Sequence, residues 1–187
     1  MTNKMKQLNL GCGLDIKNGW INLDQAALPG VDVVHNLSLL PLPFKDNSFD
    51  YILCQDILEH LDNYPAIIGE IYRIMEKGAK CCIRVPHFSS NNNYADITHK
   101  KMFSLTTFDF FLKDHDRNYY FSFGFAKKIK CKIVLAKKFF VFSKMLSFYI
   151  PWIEKWINSS PKHQYKYENT CFVNLFPAIN IIYEFEK

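Results

Sequence analysis

The chain has 187 residues, enough for one domain with a sizeable core and too few for two comfortable ones. Hydrophobic residues make up 49% and charged residues 22%, the proportions of an ordinary globular chain, and no apolar run reaches the length of a membrane-spanning helix. A formal charge of +5 leaves room for a weak attraction to phosphates or an anionic surface without indicating either. In chain order, short apolar runs bounded by Gly, Pro or Asn predict strands over 7–10, 20–23 and 31–35, then over 50–54 and 80–85, the last stopped by Pro86. Ile67, Ile71, Ile74 and Met75 recur at helical spacing between the fourth and fifth strands, with Gly78 as a cap. Beyond Pro86 the pattern predicts a polar loop over 89–94, aromatic helical character over 103–112 and a sixth strand over 128–136. A helical stretch rich in Phe, Tyr and Trp follows over 139–157, interrupted at Pro151, then a polar loop over 159–166 and a final strand over 179–185. Strands alternating with helical segments argue for a doubly wound, mostly parallel seven-stranded α/β sheet.

The segment from Leu8 to Asp24, LNLGCGLDIKNGWINLD, organises the rest. Gly11 and Gly13 lack a Cβ, so a ligand can lie against the backbone there. Asp24 ends the second apolar run, where a carboxylate can take both hydroxyls of a ribose. In an open parallel sheet, ligands bind outside the carboxyl ends of the strands, so the arrangement predicts a nucleoside-bearing ligand. A dinucleotide-binding loop would need a third glycine where Ile16 stands, and its acid would come later than Asp24 does. The connection over 13–19 has room for only a turn or so of helix, short for a parallel crossover. The six cysteines, Cys12, Cys54, Cys81, Cys82, Cys131 and Cys171, form no CxxC pair and mostly sit in apolar runs. That is the pattern of free thiols in a reducing cytoplasm, and the polar, basic residues 1–7 give no secretory segment.

Four pieces in order, LNLGCG at 8–13, GWINLD at 19–24, LPLPFKDNSFDYI at 40–52 and LEHL at 58–61 with the helix after it, resemble the class I S-adenosylmethionine-dependent methyltransferases. The likeness is to the small branch with an abbreviated first helix, and it spans about residues 7–90. It implies that S-adenosylmethionine passes Leu10, Gly11, Cys12 and Gly13 with its methionine part. By the same resemblance Asp24 holds the ribose, Asn36 and Leu37 flank the adenine, and Gln55 and Asp56 line the floor near the methionine end. The chain departs from the family where Leu14 and Asp15 follow the glycines, where Asn9 replaces a frequent acid, and where residues 76–79 read EKGA. Glu59 and His60 fall at the start of the helix, Glu59 as a partner of its dipole and His60 as a structural residue.

Methyl transfer from a sulfonium requires alignment in a dry pocket, and an alcohol acceptor also requires a base. His87 and His99, in PHFSSNNNYADITHK after the fifth strand, are the general-base candidates, against solvated loop histidines as the plain alternative. A metal site from His87, Asp96 and His99 is a further alternative that the spacing does not identify, and no metal is assigned. The expectation is a single domain over 1–187, with a cofactor half over 1–90 and an aromatic acceptor lid and last strands over 91–187. It transfers a methyl group to oxygen or nitrogen of a small-molecule or sugar-like acceptor. The alternative is a non-catalytic nucleoside-binding module of the same fold. An NPPY or DPPY run is missing after the fourth strand, which reads QDIL at 55–58 and argues against nucleic acid. The aromatic stretch over 139–157 reads as cover or cap, with peripheral membrane contact as the alternative. The sequence sets no oligomeric state.

Overall fold

The computed structural model describes residues 5–136 and 144–187, with backbone alone over 144–148. Seven strands form one sheet: β1 (Gln7–Leu10), β2 (Ile21–Asp24), β3 (Val33–Val34), β4 (Phe49–Gln55), β5 (Met75–Pro86), β6 (Lys127–Leu135) and β7 (Ala178–Glu186). Their order is β3-β2-β1-β4-β5-β7-β6. The first five pair in parallel, and β7 runs antiparallel between β5 and β6. The order reverses between β1 and β4, and their carboxyl ends open a crevice there.

Alternate residues of the central strands are sealed from solvent: Leu8 and Leu10 on β1, Ile52 and Cys54 on β4, Cys81 and Ile83 on β5. Helix α1 (Tyr64–Ile74) adds Ile67, Ile68, Ile71 and Ile74 to that core, which is why those positions carry the helical period. The chain passes directly from α1 into β5 at Met75, so Gly78 does not cap the helix. Gly78 lies inside β5 with φ +77°, its N–H donating to Lys187 O at 3.0 Å. Arg73 ties α1 to the preceding loop: Nε and Nη2 bond Glu70, and Nη1 bonds Phe44 O and Asp46 Oδ1. Glu70 Oε2 in turn accepts Leu42 N–H at 2.7 Å.

The link over 11–20 contains no helix, and two buried asparagines hold it instead. Asn9 Nδ2 donates to Asp15 O and Asn22 Oδ1, and Asn22 Oδ1 accepts Lys17 N–H. An acid at position 9 would have no proton to offer these acceptors.

The second half departs more from its sequence pattern. Over 103–112 the backbone makes only a 3-10 turn, Asp109–Phe111, because Phe103, Phe108 and Phe111 are spent on a packed aromatic cluster. Short helix α2 (Asn92–Ala95) interrupts the polar loop. Helix α3 (Lys144–Ile157) runs through Pro151 without ending. Its Ile150 and Ile157 join Ile133 and Leu135 of β6 in a second core, and Glu154 Oε2 accepts Leu135 N–H. Of the aromatic stretch, residues 139–143 lie outside the described residues, as do Lys137 and Lys138. Where a loop over 159–166 was expected, helix α4 (Pro161–Glu168) begins on Ser160, whose Oγ accepts His163 N–H; the Ser-Pro pair is an N-cap followed by a first-turn proline. A last short helix, α5 (Phe172–Leu175), leads to β7. Among the described residues no helix is long and apolar enough to cross a membrane.

Candidate functional site

Each of the first four strands delivers a residue to one cavity of about 450 Å³: Gly11 after β1, Asp24 at the end of β2, Asn36 and Leu37 after β3, and Ile57 after β4. Gly11 has φ +70°, and a Cβ there would stand 2.7 Å from Ile57 Cγ1. Its missing side chain is filled by the protein's own isoleucine, and the pair together forms the cavity wall. Gly13 has φ +49° with open space beyond it. Asp24 fastens the turn: Oδ2 accepts Gly13 N–H at 2.8 Å and Oδ1 accepts Ala26 N–H at 2.9 Å. Its carboxylate still faces the cavity with lone pairs to spare. Asn36 Oδ1 accepts Ser38 N–H at 2.9 Å, which orients the amide at the far wall.

Of the nine predicted cofactor contacts, Gly11, Asp24, Asn36 and Leu37 line this cavity. Leu10 is sealed in the sheet, and Cys12 is buried, with its thiol pushed up first by that burial. Gln55 sits on β4 opposite Arg84. Asp56 faces a second cavity instead; it has φ +52° and is held by Arg84, whose Nε lies 3.0 Å from each carboxylate oxygen. Gln25, Ser38 and Thr98 also line the first cavity without having carried a signal in the sequence, as do Leu61 of the LEHL piece and His60, there read as a structural residue.

The second cavity, about 580 Å³, is bounded by Asp56, Glu59, Asp96, His99 and Asn180, and His60 borders both. The two predicted bases part here. His99 lines this cavity, with Nε2 3.6 Å from Asp96 Oδ2 and 4.0 Å from Glu59 Oε1. His87 is fully buried: Nδ1 meets Ser89 Oγ at 2.7 Å and Nε2 meets Glu168 Oε1 at 3.2 Å, so both ring nitrogens are engaged within the protein. The structure therefore does not bring His87 together with Asp96 and His99. Glu59 also sits differently from its expected place in the first turn of the helix. It lies in a 3-10 turn (Leu58–His60) ahead of α1, is 0% exposed, and neither carboxylate oxygen has a hydrogen-bond partner among the described residues. Burial first of all raises its carboxyl to about 7.

A parallel sheet reversed by one antiparallel strand, with an acid at the tip of β2 beside a glycine turn, is the arrangement of the class I methyltransferase fold. Comparison with known proteins agrees. A family model described as a methyltransferase domain matches residues 3–83. An uncharacterized protein of Methanocaldococcus jannaschii is 46% identical over 48 residues, 26% of this chain and 21% of that protein. A demethylmenaquinone methyltransferase of Listeria welshimeri is 33% identical over 69 residues, 36% of this chain and 29% of that protein. The matches thus span less than a third of these curated relatives. A methyltransferase structure from Archaeoglobus fulgidus superimposes on 98% of this chain and 86% of its own, with TM-score 0.59 at 19% identity. The YcgJ protein of Bacillus subtilis does so over 98% and 92%, with TM-score 0.57 at 14% identity. Residues 3–83 thus match a methyltransferase domain, and the fold is shared with solved S-adenosylmethionine-dependent methyltransferases.

The described groups fit that cofactor's nucleoside half. Asp24 is an acceptor at the tip of β2, and Leu37, Ile57 and Leu61 give an apolar wall for a base.

Proposed function

We propose that this chain is an S-adenosylmethionine-dependent methyltransferase acting on oxygen or nitrogen of a small polar or sugar-like acceptor. The observation that carries the reading is the pair of cavities meeting at His60, one beside Asp24 and Gly11, the other lined by polar groups. In the first, Asp24 would accept hydrogen bonds from the ribose, Asn36 would meet the base edge, and Leu37, Ile57 and Leu61 would exclude water from it. The bound cofactor supplies an electrophilic methyl on a sulfonium. Asp56, Glu59, Asp96, His99 and Asn180 would position the acceptor in the second cavity, whose size and polarity suit a hydroxyl- or amine-bearing small molecule better than a nucleic acid. The six free thiols support a reducing, cytoplasmic setting.

Calorimetric titration with S-adenosylmethionine, S-adenosylhomocysteine and NAD tests the cofactor. The first two should bind in the micromolar range and NAD should not. In Asp24→Ala the affinity for the first two should fall by about 1.5–3 kcal/mol, the scale of hydrogen bonds to a charged group. No binding of either sulfur compound would overturn the reading, and unchanged affinity in the variant would remove Asp24 from the ribose.

A further inference from the structure

We infer that Glu59, His60 and His99 form a binding site for one divalent first-row transition-metal ion at the junction of the two cavities. One donor atom from each lies within 4.8 Å of the others. Donors about 2.1 Å from an ion stand about 3–4 Å apart, so small side-chain rotations close this set. The carboxylate of Glu59 is fully buried, lines the second cavity and lacks any hydrogen-bond donor among the described residues. A buried acid without a donor is costly, and a cation is the partner that would satisfy it. His99 Nδ1 is likewise buried without a hydrogen-bond partner among the described residues.

The surroundings prepare the histidines for the task. Thr98 Oγ1 lies 2.6 Å from Asp96 Oδ1 and 2.8 Å from His60 Nδ1. The Thr98 hydroxyl donates to the Asp96 carboxylate, which offers it only acceptor oxygens. The same hydroxyl oxygen must then accept from His60 Nδ1–H, which leaves the lone pair of the neutral ring on Nε2. Fixing a histidine tautomer through an outer hydrogen bond is the usual support of a ligating imidazole. The backbone fixes the spacing: Lys100 N–H and Lys101 N–H both donate to Glu59 O, at 2.7 and 3.2 Å, clamping the His99 segment to the Glu59 turn. Two imidazoles and one carboxylate favour Mn²⁺, Co²⁺, Ni²⁺ or Zn²⁺ over Mg²⁺ or Ca²⁺, which prefer all-oxygen sets.

Three protein donors leave coordination positions facing the second cavity. An acceptor oxygen bound there would be made more acidic by the ion's charge and would release its proton to solvent water. That role rests on the methyltransferase reading, whereas the binding of the ion does not.

Titration of the metal-free protein with Co²⁺, followed by visible absorption, and with Mn²⁺, followed by electron paramagnetic resonance, tests the site. One equivalent should bind, with a Co²⁺ spectrum of nitrogen–oxygen ligation. Affinity should fall at least tenfold in Glu59→Gln and in His99→Ala, and by a smaller factor in Thr98→Val, which removes the hydroxyl that orients His60. Circular dichroism of each variant shows whether it is folded, and the two ligand variants stand in for one another if one is not. Absence of stoichiometric binding by the native protein, or unchanged affinity in folded Glu59→Gln or His99→Ala, would overturn the inference. S-adenosylmethionine titrated in the presence of a chelator reports the cofactor separately, so failure of the ion site and failure of the methyltransferase reading remain distinguishable.

Discussion

At Gly11 two demands coincide. The backbone stands at φ +70°, and Ile57 occupies the space a side chain would need. Gly13 shares the first demand and not the second, since open space lies beyond its Cα. Gly11→Ala should therefore destabilise the fold by about 2–4 kcal/mol, combining left-handed strain with overpacking. Gly13→Ala should cost about 1–2 kcal/mol from strain alone. Urea denaturation of both variants checks this, and equal losses would show that Ile57 yields freely. The glycine pattern made this turn visible in the sequence, yet the reason for the first glycine lay 46 positions away, at Ile57, beyond any local signal. His87 and His99 teach the same lesson. Both are histidines in one loop after β5, and only the fold around them turns one inward to Glu168 and the other toward Glu59.

At the scale of elements, α1 and the loop before β4 form a unit stapled by Glu70 and Arg73. Hydrogen bonding from Arg73 lowers the Glu70 pKa, with the Leu42 amide also contributing. A carboxyl depressed in the folded state adds stability above its unfolded pKa of about 4.3, and that stability disappears as pH falls through the lower folded value. Native protein should accordingly lose stability as the pH drops below about 4.5, and Arg73→Ala should flatten this part of the acid limb while costing about 2–3 kcal/mol at neutral pH. Urea midpoints recorded between pH 3 and 7 for both proteins test it; parallel acid limbs would rule the staple out as a source. The block LPFKDNSFD, the most specific piece of the family resemblance, is thus the loop that Arg73 binds through Phe44 O and Asp46. Its distinctive sequence serves the attachment of α1 more than any ligand. The helix-free link over 11–20 follows the same logic: Asn9 departs from the family's acid because its amide protons are needed by Asp15 O and Asn22 Oδ1.

Across the whole molecule, the parallel half and the antiparallel edge meet along the pairing of β5 with β7, and a few buried polar contacts reinforce it. His87 at the end of β5 joins Glu168 on α4, and the same carboxylate oxygen accepts Leu105 N–H at 2.8 Å. Replacing His87 by alanine would leave that acid with the Leu105 amide alone, so stability should fall by about 1–3 kcal/mol with S-adenosylmethionine affinity unchanged. Thermal melting and calorimetry on His87→Ala separate the two effects, and a large loss of affinity with full stability would place His87 at the reacting centre instead. Helix α3 belongs to this same level: its described residues cover β6 in the second core, and none of them lines the two cavities described above. By itself the sequence determined the seven strands, the helix between the fourth and fifth, and the glycine turn with its acid, because those features are written in short-range periodicity and backbone freedom. Only the tertiary structure decided that Ile57 fills Gly11, that the aromatic run over 103–112 packs as a cluster rather than a helix, and that Glu59 meets His60 and His99. Each of these depends on which side chains distant in the chain compete for the same volume, and no local pattern records that competition.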